Sequence, residues 1–237
     1  EMCIRDSGYS GLGTDNTAAF QAALDYTKTN GNGVVYVPAG TYIIKNRLQI
    51  PSSSGLVGDG MYKTILVAPN TFTGDGLLWA NYGGVSGGQP TYICEMAVIG
   101  QTSTGAGANS TGIKADTNAV IIQNVWAGGF KVQFNLNGTD CFAYNCFADV
   151  SLASGYGFTI TQSGNALTDC EVFNCYVGFY INNNGGEPDP NIQLNGCRAL
   201  HCGYAGFQII TSENINLVNC NAHSPTAASQ FTAYGIL

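Results

Sequence analysis

The chain has 237 residues, of which 45% are hydrophobic and only 10% charged, with 32 glycines and a formal net charge of −7. Soluble domains usually carry about 25% charged residues, so this surface is built from Gly, Asn, Thr and Ser and suits neutral, hydroxyl-rich ligands. Eight Lys plus Arg without a basic run exclude the phosphate-binding patch that a nucleic-acid partner needs, and no apolar run approaches the ~18 residues of a membrane span.

Glu1 to Ser7 reads as a non-native leader, similar to a translated adapter, which leaves 8–237 as a single domain. Thr14-Asp15-Asn16 offers cap residues to a short amphipathic helix over 17–28, with Phe20 and Leu24 on its apolar face. Asn30-Gly31-Asn32-Gly33 ends it. Short β runs follow at Val34–Val37, Thr41–Ile44, Leu48–Pro51 and Gly55–Gly60, punctuated by Gly and Pro. A stack of such strands has an open end that must be covered, and the helix is placed to be its lid.

The second half repeats. Gly-Phe followed two places on by a β-branched residue recurs as Gly129-Phe130-Lys131-Val132, Gly157-Phe158-Thr159-Ile160, Gly178-Phe179-Tyr180-Ile181 and Gly206-Phe207-Gln208-Ile209, and Gly235-Ile236 begins a fifth. The final residues stop inside that repeat, so the domain is expected to be cut short at its C-terminus. Between these units lie paired cysteines, Cys141 and Cys146, Cys170 and Cys175, Cys197 and Cys202, with Cys220 opening a fourth. Alternation turns Phe158, Ile160, Cys170 and Val172 inward and Asp169, Glu171 and Phe173 outward. The pattern predicts an all-β chain: a right-handed parallel β-helix with a short N-terminal capping α-helix. One cysteine pair per coil fits small interior residues better than a zinc site or a disulfide framework.

Gly13-Thr14-Asp15-Asn16-Thr17-Ala18-Ala19-Phe20, Gly33-Val34-Val35-Tyr36-Val37-Pro38-Ala39-Gly40-Thr41-Tyr42 and Leu56-Val57-Gly58-Asp59-Gly60 together resemble the N-terminal module of the pectate lyase superfamily. The resemblance implies the β-helix fold and a polysaccharide partner. It also implies an extracellular, cell-surface or virion location, and reaction chemistry only loosely, because the superfamily spans lyases, hydrolases, epimerases and phage tailspikes. A lyase would bring calcium, and no other cofactor or metal is implied. A tailspike-like protein would be a homotrimer. The aspartate motifs that polygalacturonases carry before the Gly-Phe strand are missing, since Gly128, Tyr156, Val177, Ala205 and Tyr234 stand there.

Two readings of function remain: a polysaccharide lyase or glycoside hydrolase, and a non-catalytic glycan-binding fibre or adhesin. For the first, the catalytic candidates are Asp140 and Asp169, expected at equivalent places on neighbouring coils, with Glu171 two residues on and Arg198 one coil away; carboxylate pairs do glycosidase chemistry. For sugar binding the candidates are Tyr156, Tyr176 and Tyr204, near the Gly-Phe strand in successive coils, with Tyr180 and Lys131 pointing outward on it; aromatic faces stack on sugar C–H faces. Trp126, Phe142, Tyr144 and Phe173 are expected outside the other sheet. His201 is expected at a turn shared with Asn145 and Asn174, and His223 faces outward.

Overall fold

A computed structural model describes residues 14–81, 89–100, 110–149, 155–182, 191–210 and 214–223. The leader, Tyr234 and the fifth Gly-Ile unit lie outside the described residues.

The chain is a right-handed parallel β-helix with two sheets. Among the described residues, sheet I has seven strands, in order Leu48–Ile50, Asp75–Ala80, Thr111–Ala115, Val132–Leu136, Tyr156–Ile160, Val177–Ile181 and Ala205–Ile209. Sheet II has 14 strands among them, and most coils give it two short ones. The coil after Tyr156–Ile160, for example, runs through Ala166–Thr168 and Glu171–Phe173 before returning to sheet I. Strands pair in parallel at about 4.8 Å per coil, so each position repeats as a column along the stack.

The breaks within sheet II are made by single left-handed residues. Asn124, Asn145, Asp169 and Asn219 have φ of 53°, 47°, 52° and 53°, and Gly196 joins them at 67°. A second column of left-handed residues ahead of sheet II holds Ala119, Asp140, Gly164, Asn191 and Asn214. Asn and Asp tolerate this region because their short side chains bond locally. The Asn145 amide donates to Asn124 Oδ1 at 2.8 Å, so neighbouring turns are tied.

The helix Thr17–Thr29 closes the N-terminal end. Asp15, not Asn16, caps it: Asp15 Oδ1 accepts from the Thr17 N–H at 3.0 Å and the Thr17 hydroxyl at 2.5 Å. Phe20 and Leu24 are buried, and Phe20 meets Tyr42 edge-on at 5.3 Å. Gln21 does for the edge strand Leu48–Ile50 what another strand would: its amide donates to Gln49 O at 3.1 Å and accepts from Gln49 N at 2.8 Å. The lid therefore satisfies edge backbone groups as well as covering core.

Inside, Phe134, Phe158, Phe179 and Phe207 stack face to face, with centroids 4.4, 5.3 and 4.9 Å apart. The coil repeat imposes this parallel geometry where free rings prefer an offset or an edge. The stack corrects the register expected for the first repeat. Phe134 pairs with Phe158, and Val132 with Tyr156, so Gly129-Phe130 is not a sister of Gly157-Phe158. Gly129 is a left-handed turn residue (φ 80°) and Phe130 is buried ahead of the strand, against Phe72. The cysteine register shifts likewise. Phe147 pairs with Glu171 and Arg198 with Asn221, so the ladder is Cys146, Cys170, Cys197, Cys220, with Cys175 beside Cys202. Cys141 stands in another column, opposite Asn165, whose Oδ1 accepts from its N–H.

Candidate functional site

Strand alternation on sheet I turns one residue per coil outward. Register makes these a column: Gln49, Trp79, Lys114, Asn135, Thr159, Tyr180, Gln208. Two residues on, just past the strand ends, comes a second column, Asp116, Asn137, Thr161, Asn182 and the exposed Ile210, which continues the backbone ladder. These columns form one polar and aromatic face running along the helix axis.

At its N-terminal end sits a charge cluster. Lys114 Nζ lies 2.6 Å from Asp75 Oδ2 and 3.0 Å from Asp116 Oδ2. Asp116 also accepts from Trp79 Nε1 at 2.8 Å and Asn137 Nδ2 at 2.6 Å. Arg47 stacks over the Trp79 ring, 4.1 Å from its centroid. Burial pushes the Asp116 carboxyl up, but hydrogen bonds from Asn137, Lys114 and Trp79 outweigh it and hold its pKa below the ordinary value. Burial alone would lower Lys114, yet the two carboxylates beside it raise its pKa. Asp116 and Lys114 are thus both held in their ionised forms, and one ammonium is shared between two carboxylates.

Further along, the two columns carry no charged side chain. Thr161 Oγ1 donates to Asn137 Oδ1 at 2.6 Å, and Asn182 Nδ2 to the Tyr180 hydroxyl at 3.2 Å. Tyr156 meets Tyr180 edge-on at 5.4 Å, and Lys131 Nζ lies 5.8 Å from the Tyr156 centroid. Burial, with Tyr180 and Tyr176 nearby, lifts the Tyr156 pKa, so its phenol stays protonated.

The candidates read from the sequence fall as follows. Tyr180 is on the face. Tyr176 and Tyr204 stack on one another (5.1 Å, 15°) just ahead of the strands. Tyr156 is one residue out of their column, because it pairs with Val177. Lys131 does not point outward on a strand; it precedes Val132–Leu136, a consequence of the register shift. Asp140 and Asp169 are not equivalent. Phe142 pairs with Ala166, which puts Asp140 opposite Gly164, while Asp169 stands opposite Asn145 and Gly196 in the other turn column. A Cβ at Gly164 would run into the Asp140 carboxylate and one at Gly196 into that of Asp169, so each acid packs over the next turn. Glu171 pairs across strands with Arg198 and bonds it. The expected acidic patch therefore divides into two turn residues and a surface ion pair.

His201 shares its turn column with Asn174 (φ 53° and 55°) but not with Asn145, and it packs edge-on to Phe173 at 4.9 Å. Trp126, Phe142, Tyr144 and Phe173 do lie on sheet II, divided between its two halves. Among the described residues, no three His, Cys, Asp or Glu side chains are grouped to hold a metal ion, and no helix is long and apolar enough to cross a membrane.

Residues 3–227 match the family described as rhamnogalacturonase A/epimerase, pectate lyase-like. The chain belongs to that family. A pre-neck appendage protein of Bacillus phage phi29 is 22% identical over 99% of this chain and 24% of its own length. The mannuronan C5-epimerase AlgE2 of Azotobacter vinelandii is 36% identical over 89% of this chain and 20% of its own. The chain thus spans a quarter or less of these relatives. Among solved structures, a tailspike protein mutant of E. coli bacteriophage HK620 in complex with a pentasaccharide superposes with a TM-score of 0.69 at 13% identity, covering 92% of this chain and 42% of that one. PfbA, a surface adhesin of Streptococcus pneumoniae, gives 0.69 at 13% over 93% and 62%. Both likenesses are of fold.

Proposed function

We propose that this β-helix binds a polysaccharide along the outward face of sheet I, as the recognition part of an extracellular or virion-borne protein that acts on that polymer. The observation that carries this is the unbroken column from Trp79 through Lys114, Asn135 and Thr159 to Tyr180 and Gln208. Successive side chains stand about 4.8 Å apart, so an extended chain of sugars laid along the axis meets a new polar or aromatic group at every coil. Family membership and the glycan-related relatives support the substrate class. A homotrimer belongs to the tailspike side of this reading, and sedimentation of the full protein tests it.

A catalytic reading has one observation in its favour: Lys114 draws the carboxylates of Asp75 and Asp116 together, and retaining glycosidases use carboxylates about 5 Å apart. The electrostatics oppose it. Glycosidic cleavage needs one protonated acid, whereas Asp116 is held ionised by donors from Asn137, Lys114 and Trp79. The described coils are thus better suited to holding a glycan than to cutting it.

The test is binding of the full chain to a panel of plant, algal and bacterial polysaccharides, with and without calcium. Tyr180→Ala and Gln208→Ala should each weaken the wild-type interaction about tenfold, the loss of one stacking or bidentate contact. Reducing ends and the ultraviolet absorbance of unsaturated uronates, followed together, separate hydrolase from lyase from binder. Absence of binding across the panel, or binding untouched by both substitutions, rejects the proposal.

A further inference from the structure

The glycan-binding reading of sheet I leaves open which sugars the face accepts, and the hydrogen-bond directions on it decide the matter. An ionised carboxylate only accepts. Asp116 must therefore meet the NH2 group of Asn137, which it does at 2.6 Å, and Asn137 must turn its oxygen toward Thr161. The Thr161 hydroxyl has a single hydrogen, and that hydrogen is committed to Asn137. What Thr161 presents to the face is lone pairs. Bonds in such a chain polarise one another, and the Asp116 charge at its head makes the terminal oxygen a better acceptor still.

One coil on, Asn182 donates one N–H to the Tyr180 hydroxyl, and its Oδ1 is shielded from solvent with no hydrogen-bond partner. Asn135 Oδ1, in the neighbouring column, is likewise buried and unpartnered. Neither column carries a cation from Asn135 to Gln208, and Lys131, beside them, lies over the Tyr156 ring. Lys114, just before them, is already neutralised by two carboxylates.

From this arrangement we infer that Thr161, an acceptor whose only hydrogen is committed to Asn137, selects hydroxyl donors of uncharged sugars and turns away uronates. This inference rests on the proposed binding face. A neutral sugar brings a hydroxyl hydrogen to the Thr161 oxygen. A uronate carboxylate brings lone pairs to lone pairs, in the field of Asp116.

The experiment compares uronate polymers with their carboxyl-reduced counterparts, which differ only by hydroxymethyl in place of carboxylate. Several backbones are used, and affinities of the full chain are measured by calorimetry at two salt concentrations. The expected result is at least about tenfold tighter binding of the reduced polymer, with the preference diminished by Thr161→Val and reversed toward the uronate by Asn182→Lys. Circular dichroism verifies that both variants keep the fold. If the uronate form binds wild type as well or better while Tyr180→Ala still weakens binding, the selectivity is wrong and the face stands. If neither form binds, or Tyr180→Ala and Thr161→Val both leave binding unchanged, the face itself falls, and the inference with it.

Discussion

The Trp79 indole donates to Asp116 across one coil at 2.8 Å, and the same carboxylate takes Lys114 and Asn137. Three donors from three sequence segments converge on one acid, which makes Asp116 the tie between the charged and neutral parts of the face. Asp116→Ala should cost about 2–3 kcal/mol, since it leaves a polar indole and an amide without partners. Its pKa is lowered in the fold. The stability it contributes is therefore fully present above the ordinary Asp value of about 4 and lost as pH falls through the folded value. Urea melts from pH 7 to 3 should show wild type converging on Asp116→Ala only at the acid end. A gap that stays constant with pH would remove Asp116's charge from the account.

Asp149 has the opposite sign. It ends the strand Phe147–Asp149, flanked by Gly128 and Phe173. Burial raises its carboxyl above the ordinary value, and a hydrogen bond from Asn174 only partly opposes the rise. A raised folded pKa means that the ionised group destabilises the fold: stability is greatest below the unfolded value and falls as pH climbs through the folded one. Asp149→Asn should raise the melting temperature at pH 7, and the gain should vanish near pH 4. A lower melting temperature at pH 7 would mean that the Asn174 bond outweighs desolvation.

The stack, the lid and the inward faces were legible in the sequence because they follow from local pattern: period-2 alternation, Gly and Pro punctuation, caps before an amphipathic run. Register was legible only where a repeat is unique. In sheet II a three-residue strand and its turn make a five-residue step, so Cys141 and Cys146 occupy like places on successive short strands of one coil. Matching Cys141 to Cys170 slides the coil by one such strand, and Asp140 is carried into false equivalence with Asp169 by the same slip. Of the sheet I face, Tyr180 was legible in the sequence but the rest was not, although four successive strand ends carry a polar–aliphatic–polar signature: Lys114-Ala115-Asp116, Asn135-Leu136-Asn137, Thr159-Ile160-Thr161 and Tyr180-Ile181-Asn182. Loops of unequal length hide that triplet until pairing aligns it.

The interior cysteines should be chemically silent. Those of the ladder bond backbone carbonyls of the preceding coil, as Cys170 Sγ does Ala143 O at 3.4 Å and Cys146 Sγ does Ile122 O at 3.5 Å. Burial pushes the thiols of Cys141 and Cys202 up to about 11, and that of Cys170 well above the ordinary value. Since the thiolate is the reactive form, a thiol reagent at pH 8 should label these positions in denaturant and leave them unlabelled in the native protein. Rapid native labelling of Cys170 or Cys146, located by peptide mapping, would show that the coils open.

Glycine in the Gly-Phe repeat is there for want of a Cβ. One added at Gly178 would sit 2.5 Å from Gly206 O and 3.0 Å from Ala199 Cβ, and one at Gly157 2.6 Å from both Gly178 O and Val172 Cγ1. Each glycine thus lets a sheet I strand lie against the next coil and against sheet II across the core, while the phenylalanine after it fills the stack. Gly178→Ala must push backbone apart and should cost about 1–3 kcal/mol, the range of overpacked cores. Gly203→Ala is the control: its Cβ would meet only Cys175 O, at 3.9 Å, in ordinary contact. Denaturation of the pair should show the first variant weakened and the second within about 0.5 kcal/mol of wild type. Equal losses would mean that backbone flexibility, not space, is what these glycines supply. The same substitution moves Tyr180, two residues on, so Gly178→Ala should also weaken glycan binding, whereas Gly203→Ala, outside the strand, should not.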